Sequence, residues 1–145
     1  LNEAEELGFS KKELMVLGAQ LGMDVPFFVS QYPMALGTHY GEKITPLPPA
    51  PKDLLFTIHE GPQRSTAEAY AAWEASGKVS RAFSEALVKA IYEQNTHEIL
   101  EHVHNDFQTI FPPHVPDEFG VLLSGSGGAY VVFHGNDTKS IKRRK

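Results

Sequence analysis

Four prolines in six residues, Pro46-Leu47-Pro48-Pro49-Ala50-Pro51, set the strongest limit on how this chain can fold. Proline fixes φ and carries no amide proton, so neither a helix nor a central strand can run through 46–51. The run is a stiff connector and the expected domain boundary. The residues before it, 1–50, and after it, 53–145, must each bury apolar surface of their own.

Composition permits this. Of 145 residues, 41% are hydrophobic and 21% charged, the balance of a globular chain rather than a disordered one. The longest apolar runs, such as Val25-Pro26-Phe27-Phe28-Val29, are far too short to cross a bilayer, so no membrane partner is expected. With 0 cysteines, disulfides and cysteine-based zinc sites are excluded, which fits a reducing cytoplasm.

The net charge is −5, but Lys139, Lys142, Arg143, Arg144 and Lys145 crowd the last seven positions. Without them, 8 basic residues face 18 acidic ones, and a body of net charge −10 is a poor nucleic-acid binder. The basic tail reads as the end of a surface helix. Leu1-Asn2-Glu3-Ala4-Glu5-Glu6 resembles the middle of a helix with no N-cap, and Asp137-Thr138-Lys139-Ser140 resembles a helix start. A section of a longer protein is therefore expected.

Local signals place the elements. Ser10-Lys11-Lys12-Glu13 is a capping box opening a helix whose Leu14, Leu17 and Leu21 share a face, with Gly22 as its left-handed stop. Met34–Gly37 and Lys43–Leu47 are short strands either side of a Gly41 turn. Beyond the prolines, Leu54–His59 is a strand broken by Gly61-Pro62. Ser65-Thr66-Ala67-Glu68 opens a second capped helix reaching Ala75. A helix follows over 81–92, burying Ala82, Leu87, Ala90 and Ile91, and another over 96–110, ended by Pro112-Pro113. Gly120–Leu123 and Ala129–Phe133 are apolar strands joined by Ser124-Gly125-Ser126-Gly127-Gly128. The fold class is α+β, with helices on one face of an antiparallel sheet.

Three features could carry chemistry. Asp24, before Val-Pro-Phe-Phe, either caps the next turn or is a carboxylate held among apolar residues, where reduced solvation lets it accept a proton. The Ser124–Gly128 loop is either a hairpin whose glycines supply positive φ, or a nest of amides and hydroxyls for a phosphate. It is neither a dinucleotide fingerprint nor a Walker loop. His97, His102 and His104 do not share a helical face, so no metal site is expected from them. No Gly-x-Ser-x-Gly elbow supports a hydrolase triad.

Taken together and in order, Leu21-Gly22-Met23-Asp24-Val25-Pro26-Phe27-Phe28, Ala35-Leu36-Gly37, Gly41-Glu42, Ser65-Thr66-Ala67-Glu68-Ala69-Tyr70, Asn105-Asp106-Phe107 and Ser124-Gly125-Ser126-Gly127 form a pattern. It resembles the 4-diphosphocytidyl-2-C-methyl-D-erythritol kinase family, within the superfamily of galactokinase, homoserine, mevalonate and phosphomevalonate kinases. The Gly-x-Asp-Val-Pro-Phe-Phe segment is distinctive for that family, and the Ser-Gly-Ser-Gly loop is common to the superfamily.

The resemblance implies a C-terminal piece of a kinase catalytic domain over 1–50. It implies an incomplete ferredoxin-like α/β sandwich over 53–145. It gives Asp24 the role of catalytic base toward a substrate hydroxyl that attacks the γ-phosphate of ATP, with Mg2+ as the metal. Thr66 would line a cytidine-diphosphate pocket and Tyr70 would stack on the pyrimidine, although core packing is equally open for Tyr70. Ser124, Gly125, Ser126 and Gly127 would lie near the phosphates, and Asn105 to Phe107 would be structural. The family's Pro-x-Gly-x-Gly-Leu-Gly-Gly-Gly-Ser-Ser loop and its substrate-side lysine are not in this sequence. Residues 113–124 are shorter than the family norm, and a last helix and strand are not represented. The chain alone is thus expected neither to bind ATP tightly nor to turn over. A homoserine or mevalonate-type kinase, and a non-enzymatic binding module of the same fold, are the alternatives.

Overall fold

A computed structural model describes residues 6–80, 84–113 and 120–134. The protein is α+β and divides into two compact units, Leu1–Ala50 and Pro51–Lys145. Among the described residues, no helix is long and apolar enough to cross a membrane.

In the first unit, α1 spans Lys11–Ala19 and α2 spans Val25–Ser30. The Ser10 hydroxyl accepts the Glu13 amide at 3.3 Å, and the Glu13 carboxylate accepts the Ser10 amide at 2.8 Å, closing the expected capping box. The two helices cross closely at Gly18: a β-carbon there would stand 2.8 Å from Val25 Cγ1. Lys11 Nζ donates to the Ser30 carbonyl at 3.1 Å, tying the start of one helix to the end of the other. Strands β1 (Ala35–Thr38) and β2 (Lys43–Pro46) pair antiparallel, Ala35 opposite Pro46 and Thr38 opposite Lys43. Pro46 ends its strand, where a missing donor costs least.

Two expectations for α1 are corrected. The helix stops at Ala19 with Gln20 in the right-handed region, and Gly22 is not among the positive-φ glycines. The Leu21 and Gly22 amides instead fold back onto the Gly18 carbonyl. Leu21 therefore sits in a turn, not on the helical face of Leu14 and Leu17, and is 84% exposed. Leu17 is exposed as well. The buried residues of these two helices are Gly18, Pro26 and Ser30.

In the second unit, β3 (Leu55–Glu60), β4 (Gly120–Ser124) and β5 (Ala129–His134) form an antiparallel sheet of order β3-β5-β4. Register runs Leu55 opposite His134 to Glu60 opposite Ala129, and Gly120 opposite Phe133 to Ser124 opposite Ala129. Helices α3 (Thr66–Ser76), α4 (Ser84–Tyr92) and α5 (Thr96–His102) lie between β3 and β4 in sequence. The core gathers Ala69, Ala90, Ile91, Ile99, Leu100, Leu123, Tyr130, Val132 and Phe133, with Leu123 only 1% exposed. Of the stripe expected on α4, Ala90 and Ile91 are buried and Leu87 half-buried, while Ala82 lies outside the described residues.

The single helix expected over 96–110 is two pieces. α5 ends at His102, Val103 is extended at φ −66° and ψ 129°, and a 3-10 turn follows over Asp106–Thr109. The break has a local cause: Asn105 is itself a cap, its side-chain oxygen accepting the Phe107 amide at 2.9 Å. Just beyond, Gln108 completes the free edge of β4. Its Nε2 donates to the Val121 carbonyl at 2.9 Å and its Oε1 accepts the Leu123 amide at 2.7 Å, as a neighbouring strand would. The helical readings of Leu1–Glu5 and Asp137–Ser140, the shortened stretch before the glycine loop and the basic tail lie outside the described residues.

Candidate functional site

The residues singled out in the second unit converge on one loop. Ser124 closes β4, Gly125 has φ +52° and Gly127 φ +121°, and the Gly127 amide donates to the Ser124 carbonyl at 3.0 Å. The turn is thus a small ring of backbone in a conformation that favours glycine. Its hydroxyl-bearing residue Ser126 meets α3: Thr66 Oγ1 and Ser126 Oγ stand 3.4 Å apart, although 60 residues separate them in sequence.

The segment leading into α3 runs along this loop. Gly61 donates its amide to the Gly128 carbonyl at 3.0 Å, and a β-carbon on Gly61 would press on the Gly127 carbonyl at 3.0 Å. Three residues on, Arg64 reaches the loop with its guanidinium: a β-carbon on Gly127 would stand 2.6 Å from Arg64 Nη1. The guanidinium carbon lies 3.5 Å from the centroid of Phe111, in cation–π contact. From below, Asn105 Nδ2 donates to the Leu123 carbonyl and the Gly125 carbonyl, each at 2.8 Å.

α3 opens at this place for reasons visible in its sequence. Ser65 accepts the Glu68 amide at 3.2 Å, and Glu68 accepts the Ser65 amide at 2.9 Å and its hydroxyl at 2.8 Å. These hydrogen bonds, chiefly from the Ser65 backbone and then its hydroxyl, hold the Glu68 carboxyl below its ordinary pKa, and Arg64 adds a smaller pull in the same direction. Thr66 is the first residue of the helix, and Tyr70 lies one turn further along the same face. Tyr70 is 53% exposed and meets Phe107 edge to face, centroids 5.1 Å apart. Core packing, the alternative held open for Tyr70, is therefore not its situation.

Asp24 belongs to the first unit. It occupies the N-cap of α2 with φ −84° and ψ −18°, and its side chain makes no cap hydrogen bond. Its carbonyl, not its carboxylate, accepts the Phe27 amide at 3.1 Å. The capping role weighed for this carboxylate is thereby corrected. So is the apolar enclosure: Asp24 is exposed.

Arg64, Phe111 and the long reach of Asn105 escaped the sequence reading. Arg64 follows Gln63 in a segment with no periodicity, and nothing local announces its partner 47 residues away. On the ligand question, His97, Glu98 and Glu101 bring three potential ligand atoms within 4.8 Å of one another. Counting histidines alone missed this grouping, because two of its members are glutamates at helical spacing. It is a surface cluster of α5, where Glu98 also meets His102 at 3.3 Å.

Comparison with known proteins adds the class. No family model matches the chain. The curated relatives it resembles are kinases by name. That name is 4-diphosphocytidyl-2-C-methyl-D-erythritol kinase: the protein of Caldicellulosiruptor bescii is 30% identical across 98% of this chain and 54% of its own length. The Gloeobacter violaceus protein of the same name is 33% identical across 89% of this chain and 48% of its own length. The Caldicellulosiruptor saccharolyticus protein is 30% identical across 98% and 53%. The chain is thus similar to these kinases over most of its residues, and it spans about half the length of the curated relatives it matches.

Proposed function

We propose that the protein carrying this chain is an ATP-dependent, Mg2+-assisted cytoplasmic kinase that phosphorylates the 2-hydroxyl of 4-diphosphocytidyl-2-C-methyl-D-erythritol in isoprenoid precursor synthesis. The observation that carries the reading is the likeness, across 98% of the chain, to a protein of that name. On this reading residues 1–50 belong to the catalytic domain, and 53–145 to a ferredoxin-like domain. The sheet order β3-β5-β4, with β3 at an edge among the described residues, is compatible with that domain.

The residues around the glycine loop fit a phosphate group: a guanidinium, two hydroxyls and a ring of glycine backbone. Among the described residues, the carboxylate that the charge of Arg64 reaches, Glu68, is engaged by Ser65 and offers no comparable seat for Mg2+. Bound ATP supplies the phosphoryl group. Asp24 orients the substrate hydroxyl and accepts its proton late, as a loose phosphoryl-transfer transition state requires. An exposed carboxylate can do this once substrate covers it and excludes water. Thr66 hydrogen-bonds the diphosphate side of the substrate. Tyr70, exposed on one side and braced edge-on by Phe107 on the other, offers its ring to the cytosine. Ser124 to Gly127 serve the phosphates.

The test is a kinase assay on the full-length protein that contains this sequence. The expected result is ATP-dependent phosphorylation of the cytidylyl substrate, falling at least about 100-fold in Asp24→Asn with the substrate KM little changed. Phosphorylation of homoserine or mevalonate instead would favour a related kinase. Full turnover in Asp24→Asn would remove Asp24 from the chemistry, and no turnover with any of these acceptors would favour a binding module.

A further inference from the structure

We propose that Arg64 is an anion-binding residue, holding one phosphate of a diphosphate group at the Ser124–Gly128 loop together with the hydroxyls of Thr66 and Ser126. The inference rests on the reading of this loop as a phosphate loop and goes beyond it by assigning the loop its cation. Three observations carry it.

First, the guanidinium is positioned rather than free. Its carbon is 3.5 Å from the Phe111 centroid, so the ring holds one face of the planar group and leaves its N–H edge for a ligand. Second, it approaches the loop as closely as it does because Gly127 has no side chain: a β-carbon there would meet Nη1 at 2.6 Å. Third, among the described residues no direct pair neutralises the charge. Arg64 enters none of the ion pairs within 4.0 Å among the described residues. Glu68, which its field reaches, is held by the amide and hydroxyl of Ser65. A fixed, half-buried cation beside two hydroxyls 3.4 Å apart matches a phosphate group in both charge and donors.

The experiment titrates inorganic pyrophosphate into the 145-residue chain at low salt, read by calorimetry and by the amide shifts of Gly125 and Gly127. Arg64→Gln is expected to weaken binding about 10-fold or more, the worth of a charge-assisted hydrogen bond. Arg64→Lys is expected to fall in between, because an ammonium keeps the charge and loses the planar fork. Far-ultraviolet circular dichroism verifies that each variant is folded. If Arg64→Gln does not fold, Arg64→Lys and Phe111→Leu decide: wild-type affinity in both overturns the proposal. It is equally overturned if the wild-type chain does not bind pyrophosphate, or if Arg64→Gln binds it as tightly. Failure here with normal turnover of the full-length protein leaves the kinase reading standing. Arg64-dependent binding without turnover does the reverse.

Discussion

Asn105 gives both protons of its side-chain amide to the glycine loop, one to the Leu123 carbonyl and one to the Gly125 carbonyl, each at 2.8 Å. The same side chain, through its oxygen, caps the 3-10 turn by accepting the Phe107 amide at 2.9 Å. One residue therefore couples the break after α5 to the conformation of the loop. The orientation of the amide follows from this: only with nitrogen toward the carbonyls and oxygen toward the amide are all three contacts hydrogen bonds.

Replacing Asn105 tests that coupling. Asn105→Ala removes three hydrogen bonds in a half-buried setting and is expected to destabilise by about 1–3 kcal/mol, read from the urea midpoint. Asn105→Asp retains the cap toward Phe107 but turns a carboxylate oxygen onto two carbonyls. It is expected to be at least as destabilising as Ala. A milder effect of Asp would mean that the cap, not the loop contact, is what Asn105 contributes.

Gly127 answers to two demands at once. Its φ of +121° strains any L side chain, and a β-carbon would drive Arg64 from its place. Gly127→Ala is expected to cost about 1–3 kcal/mol of stability. The displaced guanidinium should also leave the ring of Phe111, shifting that ring's proton resonances. Gly125→Ala, with φ +52° and nothing within 4 Å of its β-carbon, should cost less and leave Phe111 unshifted. Equal effects of the two would make backbone strain the only factor.

What the sequence disclosed and what it hid divide along the range of the interactions. The two capping boxes, Ser10 with Glu13 and Ser65 with Glu68, lie within four residues, and both form as the spacing requires. The strands flanking the glycine loop were legible for the same reason: apolar runs stop where small residues begin. The split of 96–110 was only half legible: the Asn105 cap reaches just two residues on to Phe107, but the loop carbonyls that fix that side chain lie 18 and 20 residues downstream. The fate of Leu17 and Leu21 was not legible. Periodicity marks a face as apolar, but it does not supply the surface that covers it, and unit 1–50 is too small to cover everything. Arg64 was hidden twice, since both its stacking partner and its glycine lie across the unit.

In the first unit, Gly18 is the place where α1 and α2 touch. Gly18→Ala puts a methyl group 2.8 Å from Val25 Cγ1, on a branched side chain held close to its own backbone. Relief requires the helices to part, so a loss of about 1–3 kcal/mol is expected despite the higher helix propensity of alanine. Gly18→Ala combined with Val25→Ala should recover part of the loss, because the second change removes the methyl that clashes. Additive losses in the double variant would show that the contact with Val25 is not the limiting one.

Acid should loosen the start of α3. The Glu68 carboxyl is held below its ordinary pKa by the Ser65 amide and hydroxyl, so the folded state binds its proton more weakly than the unfolded chain does. Stability from this group is complete above the unfolded value, about 4.3, and is lost as pH falls through the lower folded value. Urea midpoints of the wild type should therefore drop below about pH 4.3, and Glu68→Gln should flatten part of that drop while lowering stability at neutral pH. Only part is at stake, because Glu13 and Glu42 are shifted in the same direction by their own hydrogen bonds. Arg64→Gln should raise the Glu68 pKa measured by carbon-detected NMR only slightly, since the Ser65 hydrogen bonds are the larger cause. A drop of unchanged depth in Glu68→Gln would place the acid sensitivity elsewhere in the fold.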